Sequence, residues 1–347
     1  MLMRPLKFAI SGCGRMARDV HMPILRRLPG VQLVAVADTQ DEALAATRLL
    51  EPGCAVFHSQ NEMLDAVKAD ALIIAAPSAA HAELACQAFK RRNHVYLEKP
   101  VATSLEEARQ VVAAWRQAGT MAMPGFNYRF HPLVQKLRLL LENDRIGALL
   151  AARTTFSVAG CAPASWRASR TRGGGALLDL GSHHADLIRF VFQREIAGVH
   201  ASVRSIRSED DCAALQFHLQ DGMVVQSIFS QCGSEIDSFE VLGERGSLGF
   251  DRYFSERVEY ADPGHGAARI QRLLNRVRSF VPGTGWLRKL RAPAHEPSYQ
   301  ASLAHFVSAV RGEAPLACDL MDGYQSMVAI AAAEESAGVG GFVACER

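Results

Sequence analysis

Three side chains in this 347-residue chain have the types and settings needed to move a proton on and off a hydroxyl group: Lys99, Asp179 and His183. Lys99 lies in Glu98-Lys99-Pro100, directly after the apolar run His94 to Leu97. An ammonium there can steer a hydroxyl, lower its pKa or relay its proton. Pro100 stops the run and helps fix where Glu98 and Lys99 point. Asp179 and His183 follow the triple glycine Gly173-Gly174-Gly175 and stand four residues apart. On a helix that spacing puts both on one face, within reach of a common ligand. Histidine is suited to act as a base near neutral pH, and the aspartate can orient it or bind a second hydroxyl. Each also has a plainer reading, His183 as a structural histidine at a helix start and Asp179 as a helix-capping acid. Oxidising an alcohol needs such a base while hydride leaves for an acceptor.

A candidate site for the acceptor lies near the N-terminus. Leu6 to Ile10 is an apolar run, and Gly12-Cys13-Gly14-Arg15-Met16-Ala17 follows it in the pattern G-x-G-x-x-A. Gly12 permits the tight turn, Gly14 lets a pyrophosphate approach the backbone, and Ala17 lets helix and strand pack closely. Arg15 and Met16 sit at the start of the following helix, whose free N–H groups suit phosphate. Asp38 ends the next apolar run, 21 residues after Ala17, where an acid accepts hydrogen bonds from a ribose. A carboxylate there repels a 2′-phosphate, so NAD is preferred over NADP, while the nearby Arg15 keeps NADP open. The plainer reading is a glycine turn without cofactor and an Asp38 that caps the next helix. Gly283-Thr284-Gly285 and Gly338-Val339-Gly340 repeat the G-x-G spacing without a preceding strand and read as loops.

These residues need a scaffold, and the first third of the chain supplies its pattern. Short apolar runs at Leu6–Ile10, Val31–Ala37, Ala71–Ala76, His94–Leu97 and Thr120–Met123 alternate with helix-like segments. The helical segments are Arg15–Leu28, Asp41–Leu50, Ala79–Arg92 and Leu105–Ala118. Such alternation implies an α/β fold, a doubly wound parallel sheet that binds ligands at its carboxyl edge. Later the runs are strands with turns between: Ala151–Phe156, Val199–Ser205, Ala213–Leu219, Met223–Phe229, Ser238–Leu242 and Ser247–Asp251, with a hairpin signal at Gln220-Asp221-Gly222.

Composition excludes several classes. Hydrophobic residues are 49% and charged residues 21%, which rules out a mostly disordered chain. The net charge of +2 gives no general case for nucleic acid or membrane binding. No apolar run is long enough to cross a membrane. The N-terminal residues lack the pattern of a signal peptide, and the eight cysteines fall in no metal-binding or paired spacing. These features predict a cytoplasmic protein with reduced thiols. No His/Asp/Glu set has metal-ligand spacing, so no metal is expected.

Ala76-Pro77-Ser78-Ala79-Ala80-His81, then Glu98-Lys99-Pro100, then Gly125-Phe126-Asn127-Tyr128-Arg129-Phe130-His131-Pro132, then Gly173 to His183, taken in this order, resemble the Gfo/Idh/MocA oxidoreductases. The resemblance covers nearly the whole chain, with Ser298–Gly312 and Asp322–Ser336 matching the family's late helices. It implies an N-terminal Rossmann domain, here residues 1–123, and a C-terminal α+β domain with an open, mostly antiparallel sheet, here residues 124–347. It implies hydride transfer between NAD(P) and a sugar, cyclitol or sugar derivative, with Lys99, Asp179 and His183 at the catalytic positions, and a homodimer or homotetramer. Relatives that hydrolyse glycosides with retained NAD, and relatives that bind dinucleotide but only regulate, are the alternatives.

Secondary candidates follow from the same reading. Pro77, His81, Glu98 and Lys99 are expected beside the cofactor, although His81 can equally cap the next helix. Arg129 and Trp166 are expected to contact substrate, the indole by stacking on a sugar ring; Arg129 can instead belong to a structural ion pair. Residues 263–295 carry seven basic residues and no acid. They read as a basic helical insertion, either a solvated hairpin or a face for an anionic membrane surface, for phosphates, for lidding the cleft over a nucleotide-linked sugar, or for an oligomer contact.

Overall fold

The computed structural model describes residues 4–159, 166–262 and 296–345. The basic segment 263–295, with Gly283 and Gly285, lies outside the described residues, as does Cys161. The chain forms two compact units. One comprises Met1–Asn127, Thr171–Gly173 and Glu296–Met327; the other comprises Tyr128–Arg170, Gly174–His295 and Val328–Arg347. The chain therefore returns to its first unit, whereas the sequence suggested a single division at residue 123.

The first unit is built on a six-stranded parallel sheet: β1 (Leu6–Ser11), β2 (Val31–Ala37), β3 (Ala55–Phe57), β4 (Ala71–Ile74), β5 (His94–Leu97) and β6 (Ala122–Pro124). Its spatial order is β3-β2-β1-β4-β5-β6. That is the doubly wound order, with the direction of winding reversing between β1 and β4, where ligands bind. Connecting helices are α1 (Met22–Arg27), α2 (Asp41–Leu50), α3 (Gln60–Ala66), α4 (His81–Lys90) and α5 (Leu105–Ala118). The central strands are apolar throughout because helices cover both faces: Phe8, Ile10, Leu72, Ile73 and Tyr96 are fully buried. Helix α8 (Pro297–Val310) closes this core, its Phe306 ring meeting Phe8 edge-on at 6.3 Å and Tyr96 at 5.7 Å. Each such aromatic buried is worth about 1.5–3 kcal/mol.

The second unit holds an eight-stranded sheet in the order β13-β12-β11-β7-β10-β9-β8-β14. Its strands are β7 (Leu149–Ala159), β8 (Ile196–Arg204), β9 (Cys212–Leu219), β10 (Val224–Gly233), β11 (Ile236–Gly243), β12 (Gly246–Asp251), β13 (Glu259–Ala261) and β14 (Val343–Ala344). All neighbours are antiparallel except β7 with β10. Strand β9 alternates buried and open positions, as a sheet with one covered face requires. Gly222 has φ +89° and completes the β9–β10 hairpin where Asp221-Gly222 signalled it.

Helices α6 (Pro132–Glu142) and α7 (Ser182–Phe192) belong to this unit. Helix α9 (Leu320–Val339) contributes residues to both units. Its end corrects one expectation: Gly338 is helical, not a loop, and Gly340 (φ +68°) follows the helix as its left-handed stop.

Candidate active site

In the first unit the glycine loop leaves β1 at the sheet's carboxyl edge. Gly12 has φ +91°, and a Cβ there would lie 2.5 Å from the Ala76 nitrogen, so only glycine fits. Gly14 has open space where its Cβ would be. Asp38 directly follows β2, with one carboxylate oxygen accepting from the Cys13 N–H at 2.6 Å and the other from the Gln40 N–H at 2.8 Å. The acid is thereby held against the glycine loop. A tight turn, an uncrowded second glycine and a fixed carboxylate beside them fit a dinucleotide. Burial pushes the Cys13 thiol up to about 11, which makes it an inert loop residue. Ala17 is fully buried, Met16 is half-buried, and Arg15 extends into solvent 3.9 Å from Asp19. The segment expected as one helix is helical over residues 15–27, with a π-helical turn, Ala17–His21, inserted after Met16.

Pro77 is exposed, in the turn after β4. His81 begins α4 and is 1% exposed. Its Nδ1 lies 2.6 Å from the Pro100 carbonyl oxygen and its Nε2 2.9 Å from that of Ala76. Burial lowers its pKa, against the raising effect of those two carbonyls. This histidine is a buried tie between two strand-end turns. Glu98 is also buried, with Oε1 2.9 Å from His21 Nε2. Lys99 is half-buried between Glu98 and Pro100.

In the second unit Asp179 and His183 stand on consecutive turns after the triple glycine. Gly174 lets chain segments meet: a Cβ there would be 2.2 Å from the Arg167 carbonyl oxygen. A π-helical turn, Leu177–Gly181, leads directly into α7. Such insertions concentrate at functional sites because they re-aim side chains on a helix. Asp179 is 6% exposed and His183 is 5% exposed. Asp179 Oδ2 accepts from Gln231 Nε2 at 3.1 Å and lies 3.4 Å from Arg167 Nε. The His183 ring stacks on Tyr128, centroids 4.5 Å apart and planes within 16°. Tyr128 accepts a hydrogen bond from Arg252 Nη2 at 2.8 Å, and Arg252 Nε donates to Asp237 at 2.7 Å. His184 points away from its neighbour toward Asp237, at 3.4 Å. Burial pushes the Asp237 carboxyl up, but Arg252 and His184 outweigh it and hold the pKa below the usual carboxylate range.

Arg129 is 5% exposed and its guanidinium lies against Asp186, with Nε donating at 2.8 Å. The ion-pair reading of Arg129 is thus the one the structure displays. Trp166 is half-buried, with the Arg167 guanidinium 5.0 Å from its ring centre. The sequence reading missed Gln231, Arg252 and Asp237, which come from strands β10 and β11 and the turn after β12, far along the chain. It also assigned no chemistry to His21, whose partner is 77 residues away.

A Rossmann sheet whose first strand-to-helix turn fits a dinucleotide defines a dinucleotide-binding protein. Comparison with known proteins agrees. Residues 6–126 match the family described as "Oxidoreductase family, NAD-binding Rossmann fold", and residues 134–249 match the GFO/IDH/MocA C-terminal domain. The chain belongs to the Gfo/Idh/MocA family of NAD-dependent oxidoreductases, which transfer hydride. It is 30% identical over 257 residues to glucose-6-phosphate 3-dehydrogenase of Bacillus subtilis, covering 69% of this chain and 72% of that one. It is 28% identical over 334 residues to inositol 2-dehydrogenase of Rubrobacter xylanophilus, covering 92% and 86%. Among solved structures, GenD2 from gentamicin A biosynthesis in complex with NAD superposes with a TM-score of 0.83 at 25% identity, covering 100% and 98%. No helix among the described residues is long and apolar enough to cross a membrane.

Proposed function

We propose that this enzyme interconverts a secondary alcohol and a ketone on a sugar, cyclitol or sugar derivative, with NAD preferred over NADP. The observation that carries the reading is the buried Asp179–His183 pair at the π-helical turn. A base for a hydroxyl proton is there set beside a carboxylate already anchored by Gln231. The names of the relatives, a sugar-phosphate dehydrogenase and an inositol dehydrogenase, support the polyol class. The position of Asp38 supports NAD, because a carboxylate disfavours a 2′-phosphate.

In this reading Gly12, Gly14, Met16, Ala17 and Asp38 hold the dinucleotide, whose nicotinamide supplies the hydride acceptor or donor when bound. His183 accepts the hydroxyl proton during oxidation and returns it during reduction. Tyr128 keeps the imidazole plane fixed through their stacked contact. Asp179 binds the reacting or the neighbouring hydroxyl. Lys99 steers the hydroxyl and favours its alkoxide. Trp166 offers a face for the sugar ring. We further propose a cytoplasmic homodimer or homotetramer; eight cysteines with no paired spacing in the sequence suit a reducing compartment.

The test is absorbance at 340 nm with purified, cofactor-stripped protein, using NAD⁺ and NADP⁺ separately against sugars, sugar phosphates, inositols and sugar nucleotides. A rise with at least one polyol, larger with NAD⁺ and lost in Lys99→Ala and His183→Ala, is expected. Tight dinucleotide binding with no net reduction, but with cleavage of a glycoside, points instead to hydrolysis with retained NAD.

A further inference from the structure

Two buried histidines meet the two residues that flank Lys99. His21, fully buried at the end of the π-helical turn after the glycine loop, reaches the Glu98 carboxylate at 2.9 Å. His81, at the start of α4, reaches the Pro100 carbonyl oxygen at 2.6 Å. The turn carrying Lys99 is thus tied on its preceding side through a side chain and on its following side through the backbone. Neither imidazole has a role in the reaction proposed above.

The donor and acceptor roles can be worked out. His21 Nδ1 is buried with no hydrogen-bond partner among the described residues. A neutral imidazole has one N–H, so its proton belongs on Nε2, donated to Glu98. The edge of the Tyr96 ring packs on the imidazole at 5.8 Å, and the Tyr96 hydroxyl is itself tied to Ser302 at 3.0 Å. On its other side Glu98 is confined by Gly125, where a Cβ would lie 2.9 Å from Oε2. Glu98 therefore has little freedom once His21 holds it. His81 faces two carbonyl oxygens, and burial disfavours the charged form that would donate to both. Its single proton serves best at the shorter contact, the one to Pro100.

We propose that His21 and His81 are positioning residues that bracket Lys99, one through the Glu98 carboxylate and the other through the Pro100 carbonyl, and so set the direction of its ammonium. The proposal rests on the reading that Lys99 serves the reacting hydroxyl.

The test compares variants that keep a donor with variants that lose it. His21→Gln retains an Nε2 donor of similar reach, and His81→Asn retains a donor near Nδ1; His21→Leu and His81→Leu retain none. Four quantities are read: the rate at which an amine reagent labels Lys99 in cofactor-free protein, mapped by mass spectrometry; NAD⁺ affinity by calorimetry; kcat and KM on the best substrate of the 340 nm panel; and melting temperature. A misplacement of about 1 Å at a reacting group costs about a hundredfold in rate. The Leu variants are expected to lose about tenfold to a hundredfold in kcat and to change Lys99 labelling severalfold. Labelling of the other lysines and NAD⁺ affinity should hold, and Gln and Asn should restore most of the loss. Unchanged labelling and kcat in the Leu variants would overturn the proposal. So would donor-keeping variants as impaired as the Leu variants. If His21→Leu does not fold, His21→Asn, whose amide is too short to reach Glu98, takes its place with the same expectations. Lys99→Ala separates the two levels. If it keeps full activity, the role of Lys99 is wrong, while the labelling result still decides whether the histidines position it.

Discussion

The two glycines of the dinucleotide loop should fail in opposite ways when each is changed to alanine. Gly12→Ala forces a side chain into φ +91° and puts a Cβ 2.5 Å from the Ala76 nitrogen. The left-handed backbone costs about 1–2 kcal/mol, and the overlap with main chain adds about 1–3 kcal/mol. At about 2–4 °C per kcal/mol for a domain of this size, melting should fall by about 4–20 °C even without cofactor. Gly14→Ala meets nothing within 4 Å and has no such backbone strain. It should leave the cofactor-free melting temperature unchanged, or raise it slightly by restricting the unfolded chain, by about 0.4–1 kcal/mol. Its methyl group instead fills the space a pyrophosphate needs. NAD⁺ affinity should fall at least about tenfold, or about 1.4 kcal/mol. Scanning calorimetry without cofactor and titration calorimetry with NAD⁺ read the two effects separately. The reasoning is refuted if Gly14→Ala melts as early as Gly12→Ala, or if it binds NAD⁺ as tightly as the parent.

Three further outcomes follow from the buried charges and from Asp38. Asp237→Asn leaves Arg252 without its counter-charge and should cost about 3–5 kcal/mol, read by urea unfolding at pH 7. The folded pKa of Asp237 lies below its unfolded value, so its stabilisation is complete above about pH 4 and is lost as pH falls through the folded pKa. The loss of stability on acidification should accordingly be shallower in Asp237→Asn than in the parent. Arg129→Met should likewise cost about 3–5 kcal/mol by stranding the Asp186 carboxylate, and in protein that remains folded KM should be little changed. Asp38→Ala should weaken NAD⁺ binding and narrow the gap to NADP⁺, measured as the ratio of the two dissociation constants.

Much of the first unit was legible because buried parallel strands and amphipathic helices leave long, regular signals. Strands β2 and β5 and helices α2 and α5 fall where the apolar runs and helix-like segments predicted. Strand β3 and helix α3 were missed. The strand is three residues long, and half-exposed where not open. The helix did carry a local signal, since Ser59 accepts from the Glu62 N–H in the first half of a capping box. The two π-helical turns were illegible, because five residues cannot distinguish their period from that of an α-helix. Gly12, Asp38, Asp179 and His183 could be singled out because spacing along the chain places them. Gln231, Arg252 and His21 could not, because their roles arise from contacts 52, 124 and 77 residues away along the chain. The same limit left Arg129 with two readings, which only its pairing with Asp186 resolved.

The most direct test of the hydride-transfer account is a single pooled incubation. The enzyme, with NAD⁺, is given hexoses, hexose phosphates and inositols deuterated at their carbinol carbons, and the nicotinamide is then analysed by mass spectrometry and NMR. The account predicts deuterium at the nicotinamide C4, and none with Lys99→Ala or His183→Ala. Bound but unlabelled NAD, with every carbinol deuterium still on its sugar, would contradict it.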